Sequence, residues 1–269
     1  MDGATIQQPL QRATGNIRLS VNGNRLERLY QSGSAKLLMP RTHRDVAEAV
    51  LINTAGGMTG GDKYRNDLTI KGSQLTVTSQ TAERIYKSNR DAAQVSTLLN
   101  VSERSVMHWL PQETIFFNNA RLGRNIELHM SSDSECLISE SIILGRHAMG
   151  ENLSDCSIKD NWRIYRDAKL IHAEALRIKE DVSRVLHSPA GLGGARILTT
   201  ILYLGPKSEQ LAERLGRTLN QYPSNLGISC WNGKLVVRLA AQKVSTGKKD
   251  TVALLWEIRQ RDIPRVWQT

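Results

Sequence analysis

The stretch AGLGGARILTTILYL (190–204) decides the fold class. Gly191, Gly193 and Gly194 have the look of a dinucleotide-binding loop, which must follow a strand and open a helix. The residues after the glycines, Ile197 to Leu204, form instead a β-type run rich in branched side chains. Without a helix behind the glycines, no N-terminal dipole awaits a pyrophosphate. A βαβ nucleotide fold is therefore excluded.

Outward from that run, most of the chain reads as short strands. NIRLSV-NG-NRLERLY sets Asn22-Gly23 between two extended runs, a hairpin signal. QLTVTSQ alternates through Leu75, Val77 and Ser79, and VSTLLNV through Val95, Thr97, Leu99 and Val101. IELHM sets Ile126, Leu128 and Met130 against Glu127 and His129, and KLVVRLA alternates Leu235, Val237 and Leu239. DVAEAVLINT is expected as a strand from about Glu48. Two late segments have helical spacing instead. PKSEQLAERLGRTLNQYP repeats Leu211, Leu215, Leu219 and Tyr222 between Pro206 and Pro223. KKDTVALLWEIRQRDIP offers Val252, Leu255, Trp256 and Arg259 as one face, with Asp250 as N-cap. Strands first and helices last predict a mainly β, β-rich α+β protein: stacked sheets of short strands, with a few helices mostly in the C-terminal third. No sequence repeat of fixed period is visible.

The 269 residues allow one large domain or two small ones. A chain of this length buries roughly three-quarters of its unfolded surface, so it needs no disulfide or metal merely to fold. No low-complexity linker divides it. The expectation is a single domain over 1–269, with residues 1–15 a flexible N-terminal segment. No apolar run approaches the ~20 residues that span a bilayer, and MDGATIQQPLQRATG lacks the apolar centre of a signal peptide. A cytoplasmic protein without a membrane partner is expected. Cys136, Cys156 and Cys230 form no C-x-x-C and are expected as buried structural thiols.

The net charge of +10 permits nucleic acid or an acidic protein as partner. The basic residues are dispersed, and no arginine-rich arm or RNP-type aromatic string appears. A protein partner fits better; a basic nucleic-acid-binding β-rich protein is the alternative. Familiar catalytic machinery is missing. STGKKDT (245–251) has Gly247-Lys248 but puts Lys249 where a Walker loop needs Ser or Thr, and residue 242 is Gln. There is no G-x-S-x-G elbow and no H-E-x-x-H helix, and the six histidines include no pair at ligand spacing.

Certain acids stand out by their place in the strand pattern. Glu140 shares its period-two side with Ile138, Ile142 and Leu144; Glu174 shares its side with Leu170, His172, Leu176 and Ile178. Asp62 leaves the glycine-rich NTAGGMTGGD (53–62) on the side of Tyr64, Leu68 and Ile70. An unpaired carboxylate in an apolar interior is very costly, so each must be paired, hydrogen-bonded, hydrated or protonated. Two readings stay open: acids that pair with buried arginines or cap loops, and acids that line a polar path. Carboxylate with imidazole suits borderline divalent metals such as nickel. A hydrolase using Glu140 and Glu174 as acid and base is a further alternative.

Six ordered motifs then carry a resemblance: NTAGGMTGGD, QTAERIYKS (80–88), WLPQETIFF (109–117), LGRHAMGE (144–151), WRIYRDAKLIHAE (162–174) and IPRVW (263–267). With them the chain resembles the urease accessory proteins of the UreD (UreH) family over nearly its whole length. The resemblance implies a β-rich fold and a non-catalytic role. It implies binding to the urease structural subunits and to UreF, and recruitment of the GTPase UreG through UreF. It implies nickel handled transiently, with no tightly bound cofactor. Carried over by motif, Asp62, Glu140 and Glu174 would line an internal passage for the metal, with Glu83, Arg84, Tyr86, Lys87 and Arg146 as passage or partner contacts. Glu83 stands where some relatives carry a small hydroxyl residue. The glycine cluster is expected as a tight loop close to other strands, delivering Asp62 to the interior.

Overall fold

The computed structural model describes residues 11–41, 46–89, 91–145, 153–179 and 182–267. β1 (Thr14–Asn22) and β2 (Arg25–Gly33) form the expected hairpin, with Gly23 and Asn24 as its turn. The turn lies one residue later than Asn22-Gly23, and Gly23 takes the left-handed conformation that its first position requires. β3 (Ala35–Leu38) and β4 (Ala47–Asn53) pair antiparallel in a second sheet. Of the segment 1–15 expected to be flexible, residues 1–10 lie outside the described residues, while Thr14 and Gly15 already belong to β1.

From there the chain winds between the sheets. β5 (Lys63–Lys71) lies in the first, β6 (Gln74–Ser79) in the second, β8 (Ala93–Ser102) in the first and β9 (Val106–Leu110) in the second; β7 (Glu83–Ile85) bridges β6 and β8 in the chain. After β10 (Thr114–Phe116), the winding continues with β11 (Ala120–Met130) in the first sheet, β12 (Glu135–Leu144) in the second and β13 (Cys156–Arg166) in the first. Strands of successive windings pair in parallel: Lys63 opposes Gln94, Gln74 opposes Val106, and Val106 opposes Glu135. Parallel strands need a long crossover, a dozen residues or more and usually a helix; here the crossover is a strand of the other sheet. The structural repeat leaves no sequence period because parallel pairing asks only for matching register.

The chain ends with β14 (Lys169–Lys179), α1 (Val182–His187), β15 (Ile197–Leu204), α2 (Ser208–Thr218), β16 (Asn225–Trp231), β17 (Lys234–Ala241) and α3 (Val244–Arg259). Among the described residues, the outer sheet has seven strands in the order β14-β13-β11-β8-β5-β1-β2. The middle sheet has ten, on the path β16-β17-β15-β12-β9-β6-β4-β3 with β7 and β10 alongside. The β-rich expectation holds, and the described helices lie in the C-terminal third.

One core fills the space between the sheets, from Ile17, Leu68, Leu99, Ile126 and Trp162 on the outer side to Val77, Met107, Ile138 and Leu202 on the inner. A second lies between the middle sheet and α2 and α3, where Leu211, Leu215, Leu254 and Leu255 meet Ile197, Ile201, Val237 and Leu239. The middle sheet is thus covered on both faces. That is why ILTTILYL reads as an almost unbroken apolar run: Ile197 and Ile201 face the helices while Leu202 and Leu204 face the outer sheet.

Four local expectations are corrected. α3 starts at Val244, so Asp250 is no N-cap; it lies in the buried face and accepts from Ser224 N at 3.0 Å and from Ser224 Oγ. That face is Gly247, Thr251, Leu254, Leu255 and Ile258, whereas Trp256 is 52% exposed. In β14 a bulge at Ile171 turns Leu170 outward, away from the side of His172 and Glu174. Cys136 and Cys156 are buried as expected, but Cys230 is only half-buried.

Candidate functional site

The glycine loop leads into the site. Met58, at its centre, donates its N–H to the carbonyl of Arg84 and accepts from Tyr86 N, both at 2.7 Å. A Cβ on Gly57 would stand 2.3 Å from the Tyr86 ring, and one on Gly60 1.9 Å from Ser88 Oγ. The cluster is a close approach, as expected, and Asp62 is delivered to the interior at 3% exposure. Its carboxylate, however, is committed to backbone amides: Oδ1 accepts from Ala13 N, just before β1, and Oδ2 from Thr59 N in the loop, each at 2.8 Å.

Beside the loop lies a cavity of about 150 Å³, lined by Asn53, Gly57, Tyr64, Asn66, Glu83, Arg84, Thr114, Trp109, Arg124 and Glu140 among others. Its solvent side is marked by the exposed Gly56, Thr81 and Arg84. Asn53 holds Glu83 through Nδ2, 3.1 and 3.2 Å from the two carboxylate oxygens, and its Oδ1 accepts from Tyr64 Oη at 2.6 Å. Burial pushes the Glu83 carboxyl up to about 7, with the hydrogen bond from Asn53 opposing.

A second cavity, about 270 Å³, is lined by Arg124, Glu140, Asp160, Trp162, Glu174, Thr199, Asn225 and Arg238 among others. Glu174 of β14 takes both Arg238 amino groups from β17, at 3.0 and 2.6 Å, tying the two sheets together. Its other neighbour is His172, with Nε2 3.7 Å away. His172 and Arg238 hold the Glu174 carboxyl down to about 2, against the effect of partial burial. Arg238 is 56% exposed and marks this cavity's solvent side.

Between the two cavities stands Arg124 of β11, 6% exposed. Its Nε donates to Asp160 Oδ1 at 3.1 Å and its Nη2 to Oδ2, a bidentate pair with the neighbouring strand β13. Its Nη1 reaches across to Glu140 of β12 and, at 3.3 Å, to Thr114 Oγ1. Two indoles complete the cluster: Trp109 Nε1 donates to Glu140 at 2.8 Å and Trp162 Nε1 to Asp160 at 3.1 Å. Burial pushes the Glu140 carboxyl up against the pull of Arg124, and the Asp160 charge adds to the push. Burial likewise disfavours the Arg124 charge, but the carboxylates of Asp160 and Glu140 outweigh it and raise its pKa.

The structure therefore brings Glu83, Arg84, Glu140 and Glu174 to two adjoining cavities and leaves Asp62 in its loop. Tyr86 packs edge-on against Phe117 and donates to Gly56 O, and Lys87 is exposed; neither lines either of these two cavities. Arg146 lies outside the described residues, as does most of LGRHAMGE. Arg124 and Asp160 were not singled out by the sequence, although Arg124 shares its period-two side with Leu122, Ile126 and Leu128, and Asp160 with Ile158 and Trp162. The alternation that marks Glu140 marks them too. Among the described residues no three His, Cys, Asp or Glu side chains converge to hold a metal, and none of the helices is long and apolar enough to cross a membrane.

The family model described as UreD urease accessory protein matches residues 12–268. The chain belongs to the UreD family. Its relatives include the urease accessory protein UreD of Rhizobium leguminosarum bv. viciae, 40% identical over 266 residues with 96% of each chain covered. That of Agrobacterium fabrum is 38% identical over 269 residues, covering 97% of this chain and 94% of the other. That of Rhodopseudomonas palustris (strain HaA2) is 36% identical over 261 residues, covering 95% and 93%. This member of the UreD family thus acts with the urease machinery as an accessory protein. In it, both oxygens of Glu174 accept from the Arg238 guanidinium, and those of Glu140 accept from Arg124 and the Trp109 indole, which suits holding charge more than shuttling protons.

Proposed function

We propose that this UreD-family protein is a non-catalytic scaffold for nickel insertion into urease. It binds the urease structural subunits and UreF, recruits the nucleotide-hydrolysing UreG through UreF, and guides nickel toward the urease active site through its acid-lined interior. The family match supports the accessory role. The observation that carries the route is the pair of cavities, each reaching the surface and each lined by carboxylates. A water-filled, anionic lining lowers the cost of moving a dication through a protein body. Nothing in this role requires a resident cofactor, and a cytoplasmic setting fits it.

The test is co-purification with UreF and urease subunits, with nickel measured in the assembled urease. Replacing Glu83 and Glu174 together by Ala is expected to spare the complex and lower urease nickel severalfold. Normal nickel in urease matured by the double variant would remove the route while leaving the scaffold.

A further inference from the structure

Among the described residues, the two cavities share two lining residues, Arg124 and Glu140. The wall between them is therefore an ion pair, with Asp160 as its third member on the second-cavity side. We propose that Arg124 is a tethered cation that occupies the crossing point between the two cavities, so that a divalent ion passes only by displacing its guanidinium from Glu140 while Asp160 retains it. This rests on the delivery reading for its biological sense, though not for its measurement.

Three observations carry the argument. First, the charges do not balance: two carboxylates face one guanidinium when both are ionised, so the cluster keeps a residual attraction for a cation. Second, Arg124 is held from both sheets, by Asp160 on its own sheet and by Glu140 on the other. Releasing it from Glu140 alone leaves the bidentate pair with Asp160 intact, so the side chain has a place to retreat to. Third, Trp109 and Trp162 each donate an indole N–H to one of the carboxylates, fixing both acids in position while Arg124 moves. A carboxylate held by a neutral donor keeps lone pairs available to an incoming ion. The arrangement is a closed door whose bolt has the same sign as the cargo.

The experiment compares nickel binding by the purified full-length protein, by equilibrium dialysis against Ni²⁺, with tryptophan fluorescence as a second readout. Arg124→Met removes the resident charge but keeps the stem. It is expected to bind one additional nickel ion per chain, roughly tenfold tighter than any site in the unmodified protein, because an uncompensated acid pair in a low-dielectric site strongly attracts a dication. The double variant Arg124→Met/Glu140→Gln is expected to lose that ion again. A folded Arg124→Met protein that gains no nickel overturns the proposal. Should Arg124→Met fail to fold, Glu140→Asp decides: it keeps the charge and withdraws the carboxylate from Arg124 by one methylene. Nickel quenching of tryptophan fluorescence should then rise severalfold, and unchanged quenching overturns the proposal. Urease nickel content separates the two levels. Gained binding by Arg124→Met with unaltered urease loading upholds the tethered cation and removes the delivery route; gained binding with depleted urease upholds both.

Discussion

Glu83 holds its carboxyl at about 7, well above its ordinary 4.5, because the cavity wall desolvates it. A carboxyl raised on folding favours the folded state in its protonated form. Its contribution is fully present below about 4.5 and is lost as pH climbs through 7. Glu83→Gln mimics the protonated form and should abolish that dependence. Thermal melts at pH 5 and pH 8 are expected to show the variant more stable than the unmodified protein at pH 8, by up to about 2 kcal/mol, and closer to it at pH 5. Two acids of the adjoining cavities thus behave in opposite ways, since Glu174, held down by His172 and Arg238, stays ionised throughout that range. The difference was not legible in the sequence. Glu174 read as an acid on an inward side and Glu83 as a contact implied by the resemblance, and only the fold supplies Arg238 to one and an uncharged amide, Asn53, to the other. Asp62 was legible as buried, but its partners are backbone amides, which no side-chain pattern announces.

α3 shows at the scale of an element what a glycine in a rejected motif is for. Gly247, part of STGKKDT, faces the middle sheet, and a Cβ there would stand 2.4 Å from Ile197 Cγ2. The missing side chain lets the helix approach the sheet closely here, and the contact helps set its rotation. Leu254, Leu255 and Ile258 then turn inward and Trp256 outward. No start signal stands out before Asp250, so a face read from that residue is rotated by one position. Gly247→Ala should lower stability by about 1–3 kcal/mol through overpacking. Gly216, in α2, has open space around it; Gly216→Ala should raise stability by up to about 1 kcal/mol through helix propensity. Urea unfolding midpoints check both, and a destabilised Gly216→Ala or an unaffected Gly247→Ala would contradict this packing.

Across the whole molecule, three layers divide the backbone into unequal shelters. β12 is covered on both faces, with buried residues from Cys136 to Leu144, while β2 shows exposed residues from Arg25 to Tyr30, among them Leu26 and Leu29. Amide hydrogen exchange followed by mass spectrometry should find β12 and β15 the last to exchange and β2 among the first. Equal protection of β2 and β12 would refute the layering. The strand content and the late helices were readable from alternation and spacing. The winding was not, because the pairing of Gln74 with Val106 and of Val106 with Glu135 is a backbone match that leaves side chains free to differ.

Among the described residues, the four ends of the two main strand paths run against the grain of the winding, and only the three-residue side strand β7 ends parallel to its neighbour. β2 and β14 close the outer sheet, and β3 and β16 the middle one, each antiparallel to its neighbour. A stack of parallel coils is open-ended by construction, since its last rung is a template for another rung of the same kind. Here any newcomer repeating the coil would find the terminal rung pointing the wrong way, so the ladder that builds the molecule also stops it from growing into a fibre.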